Sequence, residues 1–445
     1  MEVRLFFEFI QVAVGNRKSL SVGISDADWH RLFEFCKRQA LIGVGFSAVE
    51  KLHAMGVVCP ASLRMRWMAL ALQIENRNAL LNEQCSQLAR KYEHDGLETC
   101  ILKGQGNCLN YPEELSNRRQ CGDIDVWATP INVRQQEQLE TTICPRADRG
   151  GERELSQIKR ELKEICPQAD GGIAIAVQTG KEEVEYVEYH GRKAVMEYVR
   201  MQHRLEGNKE KPVVRYHHIE APKIDGTEVE VHFRPCYAHS PLRNWRMQRW
   251  FNDHADVCMK NKTHMGFAVP TASVNVVYQM CHLFSHYFDE GLGLRQLMDY
   301  YFALRVWHND VMECKDLQSQ GMWSEGLGTP VMSNEEVMSV IRSFGMTKFA
   351  AAVMYVLHKV FDMSSHYYIC NLNEKEGKKL LAEIMNSGNF GHYDSEKPNV
   401  YQHRFQYHIW KFKRIFRLAM SYPEEALWEP VFRVYHLGWR MLKGY

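Results

Sequence analysis

The sequence lacks long apolar runs. No uninterrupted apolar stretch reaches the roughly 18 residues that a membrane-spanning helix needs. The apolar run at the N-terminus is broken by Glu8, and no small-residue cleavage site follows it. We therefore expect a chain that is neither secreted nor membrane-spanning and that works in the cytoplasm.

The sequence also lacks paired cysteine motifs and a strong charge of either sign. Its 13 cysteines are scattered from Cys36 to Cys370 without a Cys-x-x-Cys spacing, which argues against a zinc ribbon or a redox pair and favours reduced, buried thiols. The formal net charge of +1 excludes a global field that attracts nucleic acid, although a local basic groove stays open. The 445 residues, of which 45% are hydrophobic, suffice for two or three globular domains.

One short stretch of the sequence concentrates acidic side chains, Gly122-Asp123-Ile124-Asp125-Val126-Trp127. In a strand, Asp123 and Asp125 project from one face, while Ile124 and Val126 enter the core. Two carboxylates in one small volume repel each other, so that one of them takes up a proton unless a divalent cation binds both. Asp-x-Asp alone is more often solvated charge, but here it predicts a site for Mg2+ or Mn2+.

A glycine-rich turn precedes the acidic stretch. It reads Lys103-Gly104-Gln105-Gly106, and glycines allow tight turns and close backbone approach to phosphates. The order of strand, glycine turn and strand with two aspartates resembles the nucleotidyltransferase superfamily with the DNA polymerase beta-like palm. It is most similar to the bacterial branch described as uncharacterised nucleotidyltransferases.

Three sequence elements support this resemblance. They are Leu102-Lys103-Gly104, then Arg119-Gln120-Cys121-Gly122-Asp123-Ile124-Asp125, and finally Glu230-Val231-His232. The chain departs from the family pattern at Glu230, where the family more often has Asp, and in a segment inserted between the second and third elements.

The resemblance implies a metal-dependent nucleotidyltransferase. It would transfer a nucleoside monophosphate from a nucleoside triphosphate, such as ATP, to an acceptor and release pyrophosphate. The implied catalytic and metal-binding residues are Asp123, Asp125 and Glu230, with two Mg2+ (or Mn2+) ions. The implied nucleotide-binding residues are Lys103, Gly104, Gly106, Arg119, His232, Arg295 and Asp299.

Several alternatives stay open at this stage. Arg295 and Asp299 are four residues apart on a predicted helix and pair with each other in the simplest reading. The acceptor is a protein, an RNA end or a small molecule, and the oligomeric state is open. A catalytically decayed palm that binds a nucleotide or a partner is the alternative function, favoured by Glu230 and by the inserted segment.

The predicted fold class is α+β, with a small mixed-sheet palm flanked by N-terminal and C-terminal helical regions. The predicted domains are a helical region at 1–96, the palm at 97–250 with a polar insertion at about 129–189, and a helical domain at 251–445. Apolar periodicity predicts one long helix over 61–94 and a packing helix at 191–201. The predicted strands span 97–102, 124–128, 213–219 and 227–233, with a further strand at 173–177.

Alternation along the last predicted palm strand puts Glu228, Glu230 and His232 on one face, turned toward Asp123 and Asp125. The insertion carries a short repeat, because the sequence at 143–148 is echoed at 165–170. Two copies are too few for a solenoid. Dense mixed charge and few apolar residues predict a mobile or loosely helical excursion there.

Two features of the C-terminal half have competing readings. His282 and His286 lie one helical turn apart, but the Glu of the zincin pattern is missing between them, so hydrogen bonding is favoured over zinc. The basic and aromatic segment at 403–417 suits RNA or an anionic membrane face. We favour instead a core position for its aromatic residues and solvated charges. The aromatic residues concerned are Trp410, Phe412 and Phe416 of this segment, together with Trp428 beyond it.

Overall fold

The computed structural model describes residues 3–131, 172–178, 184–207, 211–319, 331–394, 397–398 and 404–443. Residues 3–94 are mainly helical, as predicted, and the long helix predicted over 61–94 is confirmed. The helices are α1 (Val3–Ala13), α2 (Asp26–Arg38), α3 (Ile42–Ala54) and α4 (Ala61–His94). Helix α2 begins at Ser25, whose side chain forms a reciprocal capping box with Asp28.

The middle of the chain alternates strands with helices. In order, it forms β1 (Leu97–Ile101), α5 (Gln105–Cys108), α6 (Glu113–Ser116), β2 (Ile124–Pro130), β3 (Gly172–Gln178), β4 (Val184–His190), α7 (Gly191–Leu205), β5 (His218–Ile224) and β6 (Thr227–His232). Four of these strands make a mixed sheet in the order β1, β2, β6, β5. Strands β2 and β6 are parallel, and the two outer pairs are antiparallel.

The sheet has one apolar face and one polar face. Ile124 and Val126 of β2 and Val229 and Val231 of β6 are buried against apolar residues of α4 and α7. The alternate positions of both strands turn toward the C-terminal helices. This arrangement confirms the predicted α+β class with a small palm-like sheet between helical regions.

The first strand of the predicted hairpin is displaced. The sequence predicts a strand over 213–219, whereas β5 runs from His218 to Ile224. The preceding segment folds back on it, so that Val214 forms an isolated bridge with Ile219. The connection to β6 is the tight turn Asp225-Gly226, in which both residues have positive φ (47° and 79°).

The described part of the inserted segment is a regular antiparallel hairpin of β3 and β4. The strand predicted at 173–177 and the helix predicted at 191–201 are confirmed by β3 and α7. Strand β4 was not predicted. The repeat at 143–148 and 165–170 lies outside the described residues.

The described residues after β6 are mainly helical, as predicted. Its helices are α8 (Pro241–Asp253), α9 (Ala255–Lys260), α10 (Ala272–Asp289), α11 (Leu294–Ser319), α12 (Asn334–Ser343), α13 (Thr347–Phe361), α14 (Glu374–Ser387), α15 (Arg404–Ala419) and α16 (Pro423–Lys443). Among the described residues, none of the helices combines the length and the apolarity required to cross a bilayer.

The prediction of a buried aromatic tail with solvated charges is largely wrong. Trp410 is buried, but Phe412 and Phe416 are 67% and 73% exposed, and Trp428 is 39% exposed. Conversely, the guanidinium of Arg414 is buried and hydrogen-bonded to backbone carbonyls of α10. The apolar period of a helix identifies a stripe, but it does not tell which stripe finds a packing partner.

Candidate active site

Two of the predicted acidic residues face each other across the centre of the sheet. Asp125 of β2 is in register with Glu230 of β6. Because side chains of paired residues on neighbouring strands share a face, both carboxylates point to the polar side. Asp123 lies just before β2, and all three residues line one cavity of about 720 Å³ between the sheet and the C-terminal helices.

The Asp125 carboxylate has two cationic or polar neighbours. Lys103 Nζ lies 2.7 Å and His232 Nε2 lies 3.0 Å from its Oδ1 atom. Burial raises the pKa of Asp125, but Lys103 and the hydrogen bond from His232 outweigh it and hold this pKa well below its usual range. The negative charge of Asp125, together with burial, raises the pKa of Asp123. The two carboxylates therefore repel each other, as the sequence predicted.

The donor chemistry of the cluster fits a divalent cation. Ligand atoms of Asp125, Glu230 and His232 all lie within 4.8 Å of one another. Glu230 is partly exposed to the cavity, and its Oε2 atom lies 3.6 Å from His232 Nε2. Carboxylate oxygens from neighbouring strands are the ligands that Mg2+ and Mn2+ prefer.

The glycine turn lies against the aspartate loop. Gly104 adopts a φ of +52°, which favours glycine, and a Cβ atom there would lie 3.4 Å from the carbonyl oxygen of Asp123. A Cβ atom on Gly106 would lie only 2.6 Å from the carbonyl oxygen of Ile101. Both glycines therefore allow the backbone to turn sharply beside the acidic residues.

Arg119 and Asp299 form a buried ion pair. Two nitrogen atoms of the Arg119 guanidinium each donate a hydrogen bond of 2.6 Å to the Asp299 carboxylate. Tyr111 donates a further bond of 2.7 Å to Asp299. The simplest sequence reading, in which Asp299 pairs with Arg295, is therefore wrong.

Arg295 has different contacts. It donates a hydrogen bond of 2.6 Å to the carbonyl oxygen of Gln120, and its guanidinium lies over the ring of Phe390. It lines the cavity together with Lys103 and Asp123. Of the two predicted nucleotide-binding arginines, Arg119 pairs with Asp299, whereas Arg295 has no carboxylate partner within the described residues.

Two pairs of histidines on the cavity wall have different surroundings. His282 and His286 pack edge to face with ring centroids 4.3 Å apart, and neither belongs to a described cluster with metal-binding geometry. His217 and His218, which sequence reasoning missed, lie instead beside Glu230 and His232. The His217-His218 dipeptide was the available signal, but strand alternation placed its two side chains on opposite faces.

A small mixed sheet with carboxylates on neighbouring parallel strands, a glycine turn before them and flanking helices defines a nucleotidyltransferase palm. A family model described as "Uncharacterised nucleotidyltransferase" matches residues 25–141 and 184–321. These segments cover more than half of the chain, which belongs to this family. The interval between the matched segments falls in the inserted polar segment. No curated protein and no solved structure shows a comparable match.

Proposed function

We propose that the chain transfers a nucleoside monophosphate from a nucleoside triphosphate to an acceptor and releases pyrophosphate. Asp123, Asp125 and Glu230 would bind two Mg2+ or Mn2+ ions. The observation that carries this proposal is the register of Asp125 with Glu230 on parallel strands, beside a glycine turn and in one cavity. Family membership supports the general activity of nucleotidyl transfer.

The chemistry is an in-line displacement at the α-phosphorus. An acceptor hydroxyl oxygen forms the new bond to this phosphorus, the bond to the bridging oxygen breaks, and pyrophosphate leaves. Divalent ions, when bound, neutralise phosphate charge and favour ionisation of the acceptor hydroxyl. Glu230 is the residue proposed to accept the hydroxyl proton, because its carboxylate is partly exposed to the cavity.

The remaining residues of the cavity would position the nucleotide. The backbone N–H group of Gly104 would approach the triphosphate, because Gly104 lines the cavity and carries no side chain in the way. Gly106 would instead shape the turn, because it does not line the cavity and its N–H donates a hydrogen bond of 3.0 Å to the carbonyl oxygen of Lys103. Lys103 and Arg295 supply positive charge on the cavity wall. His232 would hold the Asp125 carboxylate in place through the hydrogen bond of 3.0 Å.

The buried ion pair changes the role proposed for Arg119 and Asp299. Two guanidinium nitrogens of Arg119 and both carboxylate oxygens of Asp299 are engaged in this pair. We therefore propose that these residues position the loop before Asp123 and do not touch the triphosphate. Arg295, which donates to the carbonyl of Gln120 in the same loop, would join that loop to the nucleotide.

The test is release of pyrophosphate from a panel of nucleoside triphosphates with Mg2+ or Mn2+, with cell extract as the source of acceptor. The unaltered chain should release pyrophosphate and label an acceptor, and the Asp123→Asn/Asp125→Asn variant should do neither. Unaltered nucleotide and metal binding in that variant would exclude the site. Nucleotide binding without any pyrophosphate release would favour the decayed, binding-only palm.

A further inference from the structure

A second set of side chains meets beside the carboxylates, and the proposed transfer reaction does not use it fully. Three histidines, His217, His218 and His232, each offer a ring nitrogen within 4.8 Å of the others. His217 precedes β5, His218 begins it, and His232 ends β6. The fold-back before β5 brings the two adjacent imidazoles to the same place, since their ring centroids are 4.4 Å apart.

The distances between neighbouring ligand atoms in this cluster are short and similar. His217 Nε2 lies 3.1 Å from His218 Nδ1, and His218 Nδ1 lies 3.3 Å from Glu230 Oε2. The same Glu230 oxygen lies 3.6 Å from His232 Nε2. The three histidines therefore form one group of possible ligands, while Glu230 and His232 belong to a second, adjoining group with Asp125.

These three separations are close to the ligand–ligand distances of a tetrahedral metal site. Nitrogen and oxygen ligands about 2.0–2.1 Å from a zinc ion at tetrahedral angles lie about 3.3–3.4 Å from one another. The measured contacts of 3.1, 3.3 and 3.6 Å bracket that value. Small movements of the side chains would therefore be enough to form such a coordination shell.

The burial of the cluster supports the same conclusion. His218 and His232 are 4% and 1% exposed. The other ring nitrogens, His218 Nε2 and His232 Nδ1, have no hydrogen-bond partner within the described residues, and the same holds for His217 Nδ1. Buried imidazoles with unused polar atoms are costly. An ion on the facing nitrogens would leave these outer nitrogens unpaired, so the support that burial gives is the exclusion of water from the rings of His218 and His232.

We propose that His217, His218 and His232 form a site for a zinc-class transition-metal ion, separate in its ligand preference from the oxygen-rich Mg2+ site. Imidazole nitrogen favours Zn2+, Co2+ and Ni2+, whereas Mg2+ prefers oxygen ligands. The site adjoins the proposed catalytic carboxylates and shares His232 with them, so that an ion on His232 Nε2 would replace its contact with Asp125. It does not require the transfer reaction, so the two proposals can fail separately.

The experiment measures binding of Zn2+ by calorimetry and of Co2+ by visible absorption, with the full-length chain after removal of metals by a chelator. The unaltered chain should bind one equivalent and give the intense Co2+ bands of a four-coordinate site, with Mg2+ in excess unable to displace the ion. Because loss of even an outer partner of a metal ligand costs roughly 10- to 100-fold in affinity, His217→Ala/His218→Ala should weaken Zn2+ binding by at least about 100-fold.

Two control variants make the result specific. His264→Ala removes an exposed histidine outside the cavity and should bind Zn2+ like the unaltered chain. Asp123→Asn should also keep Zn2+ binding while it loses the transfer reaction. Zinc affinity that is unchanged in the double histidine variant would overturn the proposal. Displacement of the ion by Mg2+ would also overturn it, as would a weak six-coordinate Co2+ spectrum. Both measurements use the unaltered chain, so they test the proposal even if the double variant does not fold.

The outcomes for the two proposals differ. Tight Zn2+ binding without pyrophosphate release would support the histidine site and contradict the proposed function. Pyrophosphate release by a chain that does not bind Zn2+ would support the proposed function and overturn the histidine site.

Discussion

Arg119 and Asp299 meet through two hydrogen bonds of 2.6 Å although 180 residues separate them in the sequence. Arg119 belongs to the loop that leads to Asp123, and Asp299 belongs to α11 of the C-terminal helices. Both residues are about 5% exposed. The pair therefore links the palm to the helical layer that closes the cavity.

Removal of one partner of this pair should destabilise the fold strongly. Asp299→Leu leaves the Arg119 guanidinium buried without a counter-charge, which typically costs about 3–5 kcal/mol. Arg119→Met/Asp299→Leu should recover much of that loss, because no unpaired charge stays buried. Urea unfolding of the three chains measures these differences. A single variant as stable as the unaltered chain would show that the pair does not link the two layers.

Sequence patterns predicted the polar face of the sheet because it depends on local geometry alone. Alternation fixes the faces of Asp125 and Glu230, and their strands lie side by side because the intervening helix α7 packs on the apolar face. The ion-pair partner of Asp299 could not be predicted in this way. Helical spacing predicts Arg295, four residues before Asp299, whereas the structure buries Arg119 beside it.

The histidine cluster shows a second limit of sequence patterns. A two-residue period places His217 and His218 on opposite faces of a strand, but the chain bends before His218 and brings both rings together. Likewise, the period of α15 marks an apolar stripe that includes Phe412 and Phe416, yet the structure exposes it. Both outcomes depend on packing between segments that are far apart in the chain, and the residue pattern of a single sequence does not show such contacts.

A methyl group on Gly106 should disturb the glycine turn that precedes the acidic residues. Gly106→Ala would place a Cβ atom 2.6 Å from the carbonyl oxygen of Ile101, and a forced backbone shift of this kind costs about 1–3 kcal/mol. Gly122→Ala is the matched control, because a Cβ atom at Gly122 meets no atom within 4 Å. Thermal unfolding and nucleotide binding should both be impaired in the first variant only. Equal behaviour of the two variants would contradict the tight turn.

Glu230 and Glu228 offer a comparison within one strand. Both side chains lie on the same side of β6, but Glu228 is exposed and pairs with Lys223 at 2.9 Å. Glu230→Gln removes a ligand and the proposed proton acceptor, so pyrophosphate release should fall by at least about 100-fold. Glu228→Gln should keep the rate of the unaltered chain. If both variants reacted at similar rates, Glu230 would have no role in the reaction.

His239 and Glu425 should make stability depend on pH. Their side chains are buried 3.0 Å apart, and the pKa of His239 is raised because the contact with Glu425 outweighs the opposing effect of burial. A histidine with a raised folded-state pKa stabilises the fold below its unfolded-state pKa, and this contribution is lost as the pH rises through the folded-state pKa.

Glu425→Gln should therefore reduce the free energy of unfolding more at about pH 5.5 than at about pH 9, well above the unperturbed histidine pKa. Urea unfolding at the two pH values measures the change. Glu374→Gln serves as the control, because Glu374 is exposed and pairs with Lys378 one helical turn away. A loss of stability that is independent of pH would show that His239 is not charged in the fold.

Lys103 occupies the oxygen of Asp125 that a metal ion would also use. Its Nζ atom lies 2.7 Å from Asp125 Oδ1, and the residue is largely buried. A lysine in this position competes with a divalent cation for the carboxylate, but it attracts the triphosphate. Lys103→Met should therefore change two affinities in opposite directions.

Mn2+ binding without nucleotide should become tighter in Lys103→Met, and nucleoside triphosphate binding should become weaker. Each change is expected to be roughly 10-fold, since one charge-assisted hydrogen bond contributes at least about 1.5 kcal/mol. Lys223→Met removes an exposed lysine from the same sheet and should alter neither affinity. Calorimetric titration with Mn2+ and with nucleotide separates the two effects. If both affinities fell together, Lys103 would hold the carboxylates in place instead of competing with the ion, because only competition predicts a gain in metal affinity when the ammonium group is lost.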